Sequence, residues 1–435
     1  MPNNWKTYKL GEVADVQNGY AFKSKDLVES GIPVIKIKNI VPPNISLEGA
    51  GYFNGEIAEK LEKYIIKKGD FLISMTGSTV NVMSSAVGKM GRYRLDEDAL
   101  LNQRAGKIYV TEPHLIDFEF LCQYLNRFEI HYNLALNATG SANQANISPA
   151  QIKNIQLNIP PLPEQKAIAN ILSAIDDKIE NNLAINKTLE DMAMALYKHW
   201  FVDFGPFQDG EFVDSELGRI PKGWEVKSIY DLIDVVYGAP FRSKLFNEEK
   251  VGYPLIRIRD LKSGKPHYYT AENHNKKTII EKGDILAGMD ALFVPYLWCG
   301  ETAVLNQRVV YFKPKHDYVT RGYIYEAVKP WLKYFEGAKV GTTVIHLSKG
   351  DIDTFNFPFP EKSSEIASFN SQIETLHKQK VNNYKENESL TQLRDTLLPK
   401  LISGEVRLKA YCESGTKEAI QNVIAREERT KQSHE

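Results

Sequence analysis

Two long stretches of the chain carry the helical period, and the remainder alternates between short apolar runs and turns. From Glu164 to Phe201, Ile168, Ile171, Leu172, Ile175, Ile179, Leu183, Leu189, Met192, Ala193, Leu196 and Trp200 recur at steps of three and four, the spacing that lines one helix face. Pro160, Pro161 and Pro163 stand just ahead; proline is tolerated at a helix start but not in its interior, so the pattern predicts a helix beginning near Glu164. The pattern returns from Glu365 to about Leu398. One constant shift carries Ile168 onto Phe369, Leu172 onto Ile373, Ile175 onto Leu376, Leu189 onto Leu390 and Leu196 onto Leu397. The same shift carries Asn181, Asn182 and Asn186 onto Asn382, Asn383 and Asn387, and polar residues beside an apolar seam fix register and partner. Periodicity alone fits a core helix equally well. Length and duplication favour two helices packed against each other, through Ile168, Leu172, Ile175, Ile179 and Leu189 on one and Phe369, Ile373, Leu376, Leu390 and Leu397 on the other. Such a helix from Glu164 to Trp200 spans about 55 Å at roughly 1.5 Å per residue.

The segments before the helices also repeat. Pro33 to Lys38 alternates apolar with basic residues and reads as a half-buried strand; Phe71 to Met75 follows the turn pair Gly69-Asp70, Lys107 to Val110 reads as a strand, and Phe118 to Tyr132 as a helix. A second constant shift takes Trp5 onto Trp224, Gly19 onto Gly238, Phe22 onto Phe241, Ser24 onto Ser243 and Lys25 onto Lys244. Pro254 to Arg259 repeats the Pro33 strand, Gly283-Asp284 the Gly69-Asp70 turn, and Asn306-Gln307-Arg308 the Asn102-Gln103-Arg104 run. Ile147-Ser148 returns as Leu347-Ser348. Between these anchors the copies differ almost completely, as expected of one scaffold gripping two versions of one kind of target, or of duplication followed by drift. The resulting fold class is α+β: two similar α/β domains in an internal repeat, separated by a coiled-coil-like stalk of two long helices packed against each other. The expected divisions are a first domain over 1–159, a first spacer helix over 160–203, a Gly-, Pro- and acid-rich connector over 204–223, a second domain over 224–360, a second spacer helix over 361–400 and a polar tail over 401–435.

Composition narrows the chemistry. With 435 residues, 43% apolar and 25% charged, the chain has the make-up of a soluble globular protein of two or three domains. A formal net charge of −1 does not advertise a nucleic-acid binder, so any such face must come from local segregation of Lys and Arg. Cys122, Cys299 and Cys412 lie far apart, supporting neither a disulfide framework nor a zinc site. The first ten residues lack a signal-peptide core and no run approaches membrane-span length, so a cytoplasmic location is expected.

Catalytic motifs are missing. No Gly-rich phosphate loop is present, and Asn158-Ile159-Pro160-Pro161 interrupts the loop an adenine methyltransferase needs. Asp214, Glu225 and Lys227 can be drawn as a magnesium-nuclease set, but such spacing is common by chance. Binding chemistry is better represented. Lys23, Lys25, Lys36 and Lys38 in the first copy, and Arg242, Lys244, Arg257 and Arg259 in the second, are candidate phosphate contacts. Asn39, Asn102, Gln103 and Arg104, and Arg259, Gln307 and Arg308, are candidate base readers, since Arg, Asn and Gln form bidentate contacts to base edges. The repeated Asn-Gln-Arg equally fits a structural hydrogen-bond cluster, because specificity residues should differ between copies. Loop residues that do differ, such as Ser78, Asn81 and Ser141 against Asp290, Tyr296 and Thr342, are the better readers in principle.

The run Ile159-Pro-Pro-Leu-Pro-Glu-Gln165 leading into Ile168 to Leu172 and Asp176 to Ile179, then Tyr197 to Phe204, Glu216 to Gly218, Ile220 to Val226 and Leu397 to Glu405, resembles the DNA specificity subunit of type I restriction-modification systems. The resemblance covers nearly the whole chain except the tail after Leu408, and departs from the pattern at Pro360-Glu361-Lys362-Ser363. It implies two target recognition domains related by an internal pseudo-twofold repeat, each reading half of a split double-stranded DNA sequence and held apart by two antiparallel conserved helices, with those helices binding two methyltransferase subunits and restriction subunits joining them. It further implies that S-adenosylmethionine, ATP and magnesium sit on those partners, that this chain carries no cofactor or metal and is not itself an enzyme, and that it directs adenine methylation and restriction. A spacer of about 55 Å corresponds to about 16 base pairs, enough to reach successive major grooves roughly 10 base pairs apart. A helical adaptor without DNA specificity, or a stand-alone nuclease, are the alternatives.

Overall fold

The computed structural model describes residues 4–23, 25, 27–55, 59–141, 144–338 and 345–408. Two compact units emerge: the chain up to Asp177 together with the segment from Thr391, and Lys178–Leu390. Both long helices exist, Leu162–Phe201 and Ala367–Ser403, and each contributes one end to each unit. The first starts two residues before Glu164, with Pro163 in its first turn; the second carries Pro399 near its end. Gly404, at a φ of 75°, stops it.

The repeat shows in the strand order of two sheets. In the first unit a five-stranded sheet runs Leu27–Val28, Gly51–Phe53, Ile32–Ile35, Ala99–Leu101, Ile65–Ile66; in the second, Phe246–Asn247, Tyr269–Thr270, Tyr253–Ile256, Ala303–Leu305, Ile279–Ile280 follow the same order. Each contains one parallel pair at the same place, Leu100 beside Val34 and Val304 beside Leu255. A second sheet orders Ala14–Asn18, Ala105–Val110, Phe71–Ser74 and Met90–Arg92 in one unit and Ile233–Tyr237, Val309–Pro314, Ile285–Gly288 and Pro295–Leu297 in the other. The first copy extends it by two short strands. A two-stranded ribbon ties each copy to its helix, Lys6–Lys9 with Gln156–Ile159 and Trp224–Ser228 with Asn356–Pro360.

The repeated Gly-Asp turn has one cause in both copies. Gly69 and Gly283 adopt φ values of 99° and 97°, open to glycine. Asp70 and Asp284 then accept from the backbone N–H three residues earlier, at Lys67 and Glu281. Asp284 is buried and also accepts from Tyr311 Oη at 2.9 Å and the Arg321 guanidinium at 3.1 Å. Asp70, half-buried, adds Lys107 Nζ at 3.2 Å as its one side-chain partner among the described residues.

Three sequence expectations change. The strand from Pro33 stops at Ile35 and that from Pro254 at Ile256; 3-10 turns Ile37–Asn39 and Ile258–Asp260 follow. The Phe118 segment is two helices, Phe118–Leu125 and Phe128–Leu136. The connector 204–223 is ordered: Phe212–Ser215 and Gly218–Pro221 form a hairpin, and Phe204 and Ile220 join the second unit's core beside Trp224.

The helix entrances explain the departure at Pro360. In the first, Gln165 is fully buried: its carbonyl oxygen accepts from Asp117 N, and its amide donates to the Leu115 and Pro160 carbonyls at 2.8 and 2.9 Å. Glu164, also buried, pairs with Arg407, which lies over the Trp5 ring. In the second, Ile366 takes the place of Gln165 and packs with Phe369, Phe359 and Tyr323. Apolar burial there replaces an amide clamp.

Within the second unit the helices run antiparallel, with Asn182 Nδ2 donating to Asn387 Oδ1, Asn383 Nδ2 to Asn186 Oδ1, each at 2.8 Å, and Lys380 Nζ to Glu190. All four asparagines are buried. In the first unit Arg394 pairs with Asp176. Of the expected seam, Ile168, Leu172, Ile175, Phe369, Ile373 and Leu397 are buried, and Ile179, Leu189, Leu376 and Leu390 half-buried. Leu183 and Met192 are instead exposed, at 44% and 51%; asparagines occupy the seam beside them.

Candidate nucleic-acid interface

Each candidate surface is built where the Asn-Gln-Arg turn meets the loop leaving the strand after the Gly-Asp turn. Gly19 and Gly238 make the approach possible: a Cβ there would stand 2.2 Å from the Asn102 carbonyl oxygen and 2.0 Å from that of Asn306. Asn102 and Asn306 are buried, and each side-chain oxygen accepts from the N–H of the arginine two residues on, at 3.4 Å. Asn therefore serves the turn, while Gln103, Arg104, Gln307 and Arg308 are exposed. The two readings of this motif divide within it.

Around the turn the copies match in backbone and differ in side chain. Met75 N donates to Arg104 O at 2.8 Å and Met289 N to Arg308 O at 3.0 Å; Ile147 N donates to Met75 O and Leu347 N to Met289 O. Thr76 and Asn146 of the first copy thus occupy the places of Asp290 and His346 in the second. Thr76 Oγ1 donates to Asn146 Oδ1 at 2.8 Å. Asp290 Oδ1 instead lies 2.7 Å from His346 Nδ1 and 3.5 Å from Arg308 Nη1. Asn146, Thr76 and His346 escape inspection of the sequence; their signal is position, immediately before the repeated Ile147-Ser148 and Leu347-Ser348 anchors or after the matched strands.

The basic candidates separate by exposure. Lys23, Lys25, Lys38, Lys244 and Arg259 are exposed and Lys36 half-buried. Arg242 is already paired, its Nε and backbone N–H both bonded to Glu272 at 2.9 Å; these bonds hold that carboxyl below its ordinary range. Arg257 is half-buried, ion-paired to Asp260 and stacked on the Tyr268 ring at 4.2 Å, which removes it from the free cations. Asn39 is withdrawn as a reader. It is fully buried, its oxygen accepting from Lys36 N and its amide donating to the Ser46 and Glu48 carbonyls. Asp260 plays the same part for Arg257 N. The apolar-basic alternation thus marks a capped turn, with Asn39 and Asp260 as caps, and not a strand face. Ser78, half-buried, bonds Ser85 Oγ at 2.8 Å; Asn81 and Ser141 are exposed, and Tyr296 packs on the second unit's core. Thr342 lies outside the described residues.

Among the described residues no group of three or more His, Cys, Asp or Glu side chains is placed to hold a metal. Glu225 is occupied by an ion pair with Lys227, and Asp214 sits in the hairpin. Burial pushes the Cys122 thiol up to about 12, far from the thiolate a nucleophile requires. No helix of the described residues is long and apolar enough to cross a membrane.

The family described as type I restriction modification DNA specificity domain matches residues 2–191 and 221–386, once per copy. The MjaIX specificity subunit of Methanocaldococcus jannaschii is 28% identical over 432 residues, covering 94% of this chain and 95% of that protein. The HindI specificity subunit of Haemophilus influenzae is 25% identical over 492 residues, covering 93% and 100%. The crystal structure of a type I restriction-modification S subunit from M. genitalium shares the fold, with a TM-score of 0.53 at 16% identity over 92% of this chain and 97% of that one. With both copies matched, this chain belongs to the type I restriction-modification DNA specificity family.

Proposed function

We propose that this chain is the sequence-reading subunit of a type I restriction-modification complex, each copy reading one half of a bipartite DNA sequence. One observation carries the reading: the same strand order and the same Asn-Gln-Arg turn occur twice, while the exposed side chains around that turn differ. A duplicated scaffold with divergent rims suits two different half-sites. Exposed Lys23, Lys25 and Lys38 in one copy and Lys244 and Arg259 in the other supply phosphate contacts, which position without specifying. The chain performs no bond chemistry in this scheme. Methylation of adenine and cleavage belong to partner subunits, two methyltransferase subunits and the restriction subunits, which carry S-adenosylmethionine, ATP and magnesium. Exposed Met192 and Met194, beside the half-buried seam of the first helix, offer an apolar face for such a partner.

The test is co-expression with the methyltransferase subunit in a methylation-free host, followed by mapping of modified adenines. A split motif with a fixed gap is expected; no new methylation from a verified soluble complex would overturn the reading. In the same complex, replacing Lys23, Lys25 and Lys38 by Ala should lower affinity for all sequences alike and flatten the salt dependence by about 0.9 in slope per lost phosphate contact.

A further inference from the structure

We propose that Arg308, held in a frame made by Asp290 and His346, reads a guanine within the half-site of the second copy, and that the Thr76–Asn146 frame gives Arg104 a different preference in the first. This rests on the sequence-reading function proposed above.

Three segments converge on the cluster. Arg308 ends the turn after Ala303–Leu305, Asp290 follows Ile285–Gly288, and His346 precedes the short helix Lys349–Ile352. Their juxtaposition is fixed by backbone. Asp290 and His346 form an antiparallel bridge, Ala291 N donates to Ile345 O at 3.0 Å, and Ala291 takes a φ of 70°. That is the left-handed region, which a residue with a Cβ adopts only when its surroundings enforce it.

The chemistry favours a base edge over a phosphate. Arg308 Nη1 faces both Asp290 Oδ1, at 3.5 Å, and His346 Nδ1, at 3.4 Å. Nε and Nη2 have no hydrogen-bond partner among the described residues, and the side chain remains 55% exposed. Two parallel N–H donors match the O6 and N7 acceptors of guanine in the major groove. A phosphate at that edge would be brought close to the Asp290 carboxylate, and like charges so placed are unfavourable; a neutral base suffers no such repulsion. The carboxylate also limits the arginine's freedom, as a specific contact requires.

In the first copy the Arg104 guanidinium has no hydrogen-bond or ion-pair partner among the described residues. Arg104 hangs from the same backbone position, but Thr76 and Asn146 bond each other, and Asn146 Nδ2 also donates to Gln144 O at 3.3 Å. Thr76 and Asn146, the residues at the matched positions, are both neutral. A common arginine with a changed frame is a direct way to give two copies of one scaffold different preferences.

The experiment uses the assembled methyltransferase complex and maps modified sites for the wild-type chain, Arg308→Ala, Arg308→Lys, and the double exchange Asp290→Thr/His346→Asn. The wild type should show a guanine at one position of one half-site. Both arginine variants should make that single position degenerate, lowering discrimination there by roughly 5- to 150-fold, with the other half-site unchanged. The double exchange should alter preference at the same position alone. An unaltered motif in Arg308→Lys, or a uniform loss of binding in Arg308→Ala with every position still selected and the salt slope reduced, would overturn the assignment. Failure of the wider reading is distinguishable, because the wild-type chain would then give no split motif.

Discussion

The buried pair Asn186–Asn383 offers a quantitative test of how the helix register is held. Asn383 Nδ2 donates to Asn186 Oδ1 at 2.8 Å, and both side chains are nearly sealed from solvent. Asn186 Nδ2 is buried with no partner among the described residues, while Asn383 Oδ1 accepts from Gln379. Asn383→Leu strands the Asn186 oxygen beside a donor that is already orphaned, and a stranded buried polar group costs about 1–3 kcal/mol. Asn186→Leu strands only the Asn383 amide and removes the orphan, so it should lie at the lower end of that range. Replacing both removes every unsatisfied group of the pair and adds apolar surface to the seam, leaving stability within about 1 kcal/mol of the wild type or above it. At about 2–4 °C per kcal/mol for a unit of this size, the singles should lose about 2–12 °C in the calorimetric transition of Lys178–Leu390, and the double almost nothing. A double variant as destabilised as the two singles added together would refute the reasoning, since it would mean that shape and not hydrogen bonding is what the asparagines supply. A polar pair of this kind gives up stability for a single alignment, which the proposed reading of two half-sites across a fixed gap requires.

The repeated Gly-Asp turn gives a second comparison. Asp284→Ala deprives buried Tyr311, the Glu281 N–H and Arg321 of an acceptor and should cost about 3–4 kcal/mol. Asp70→Ala, where Lys107 can turn to water, should cost about 1 kcal/mol, and equal losses in denaturant melts would contradict this. His377 supplies a pH dependence. Burial lowers its pKa from 6.5, opposed by Glu374 and by the Gly283 carbonyl that its Nε2–H meets, with Lys380 and Arg321 adding to the lowering. Because the folded value lies below the unfolded one, its contribution is complete above pH 6.5 and is lost as pH falls through the folded value. The loss in melting temperature on going from about pH 7.5 to about pH 5 should therefore be smaller in His377→Gln than in the wild type, and an equal loss would assign the sensitivity to other groups.

What could be seen in the sequence was whatever a period or an anchor records. Both long helices, the duplication and the matched turns were legible because an apolar stripe, a positive-φ glycine and a capping carboxylate leave marks that survive divergence. The seam was read less well at Leu183 and Met192. An apolar residue at helical spacing is assigned inward by pattern alone, and only the structure shows that Asn182 and Asn186 hold the interior there. The alternation at Pro33 and Pro254 misled for a related reason. A basic residue before a capped 3-10 turn alternates with its neighbours just as one on a strand face does, and the side chain that ends the strand, Asn39 or Asp260, sits three residues further on.

The loops follow a different rule. A reading surface is built from side chains that meet only after folding, and Asp290, Arg308 and His346 come from three separate segments with no common period. Composition could not find them, and their individual residue types are ordinary. The matched backbone bonds of the two copies do find them, because the scaffold constraints appear twice: the close-approach glycine, the turn asparagine, the backbone bonds through Met75 and Met289. What is left at the centre of each surface is one arginine kept and one pair changed. In a protein whose two halves have the same task and different targets, the kept residue is where contact is made, and the changed pair is where the choice of base is set.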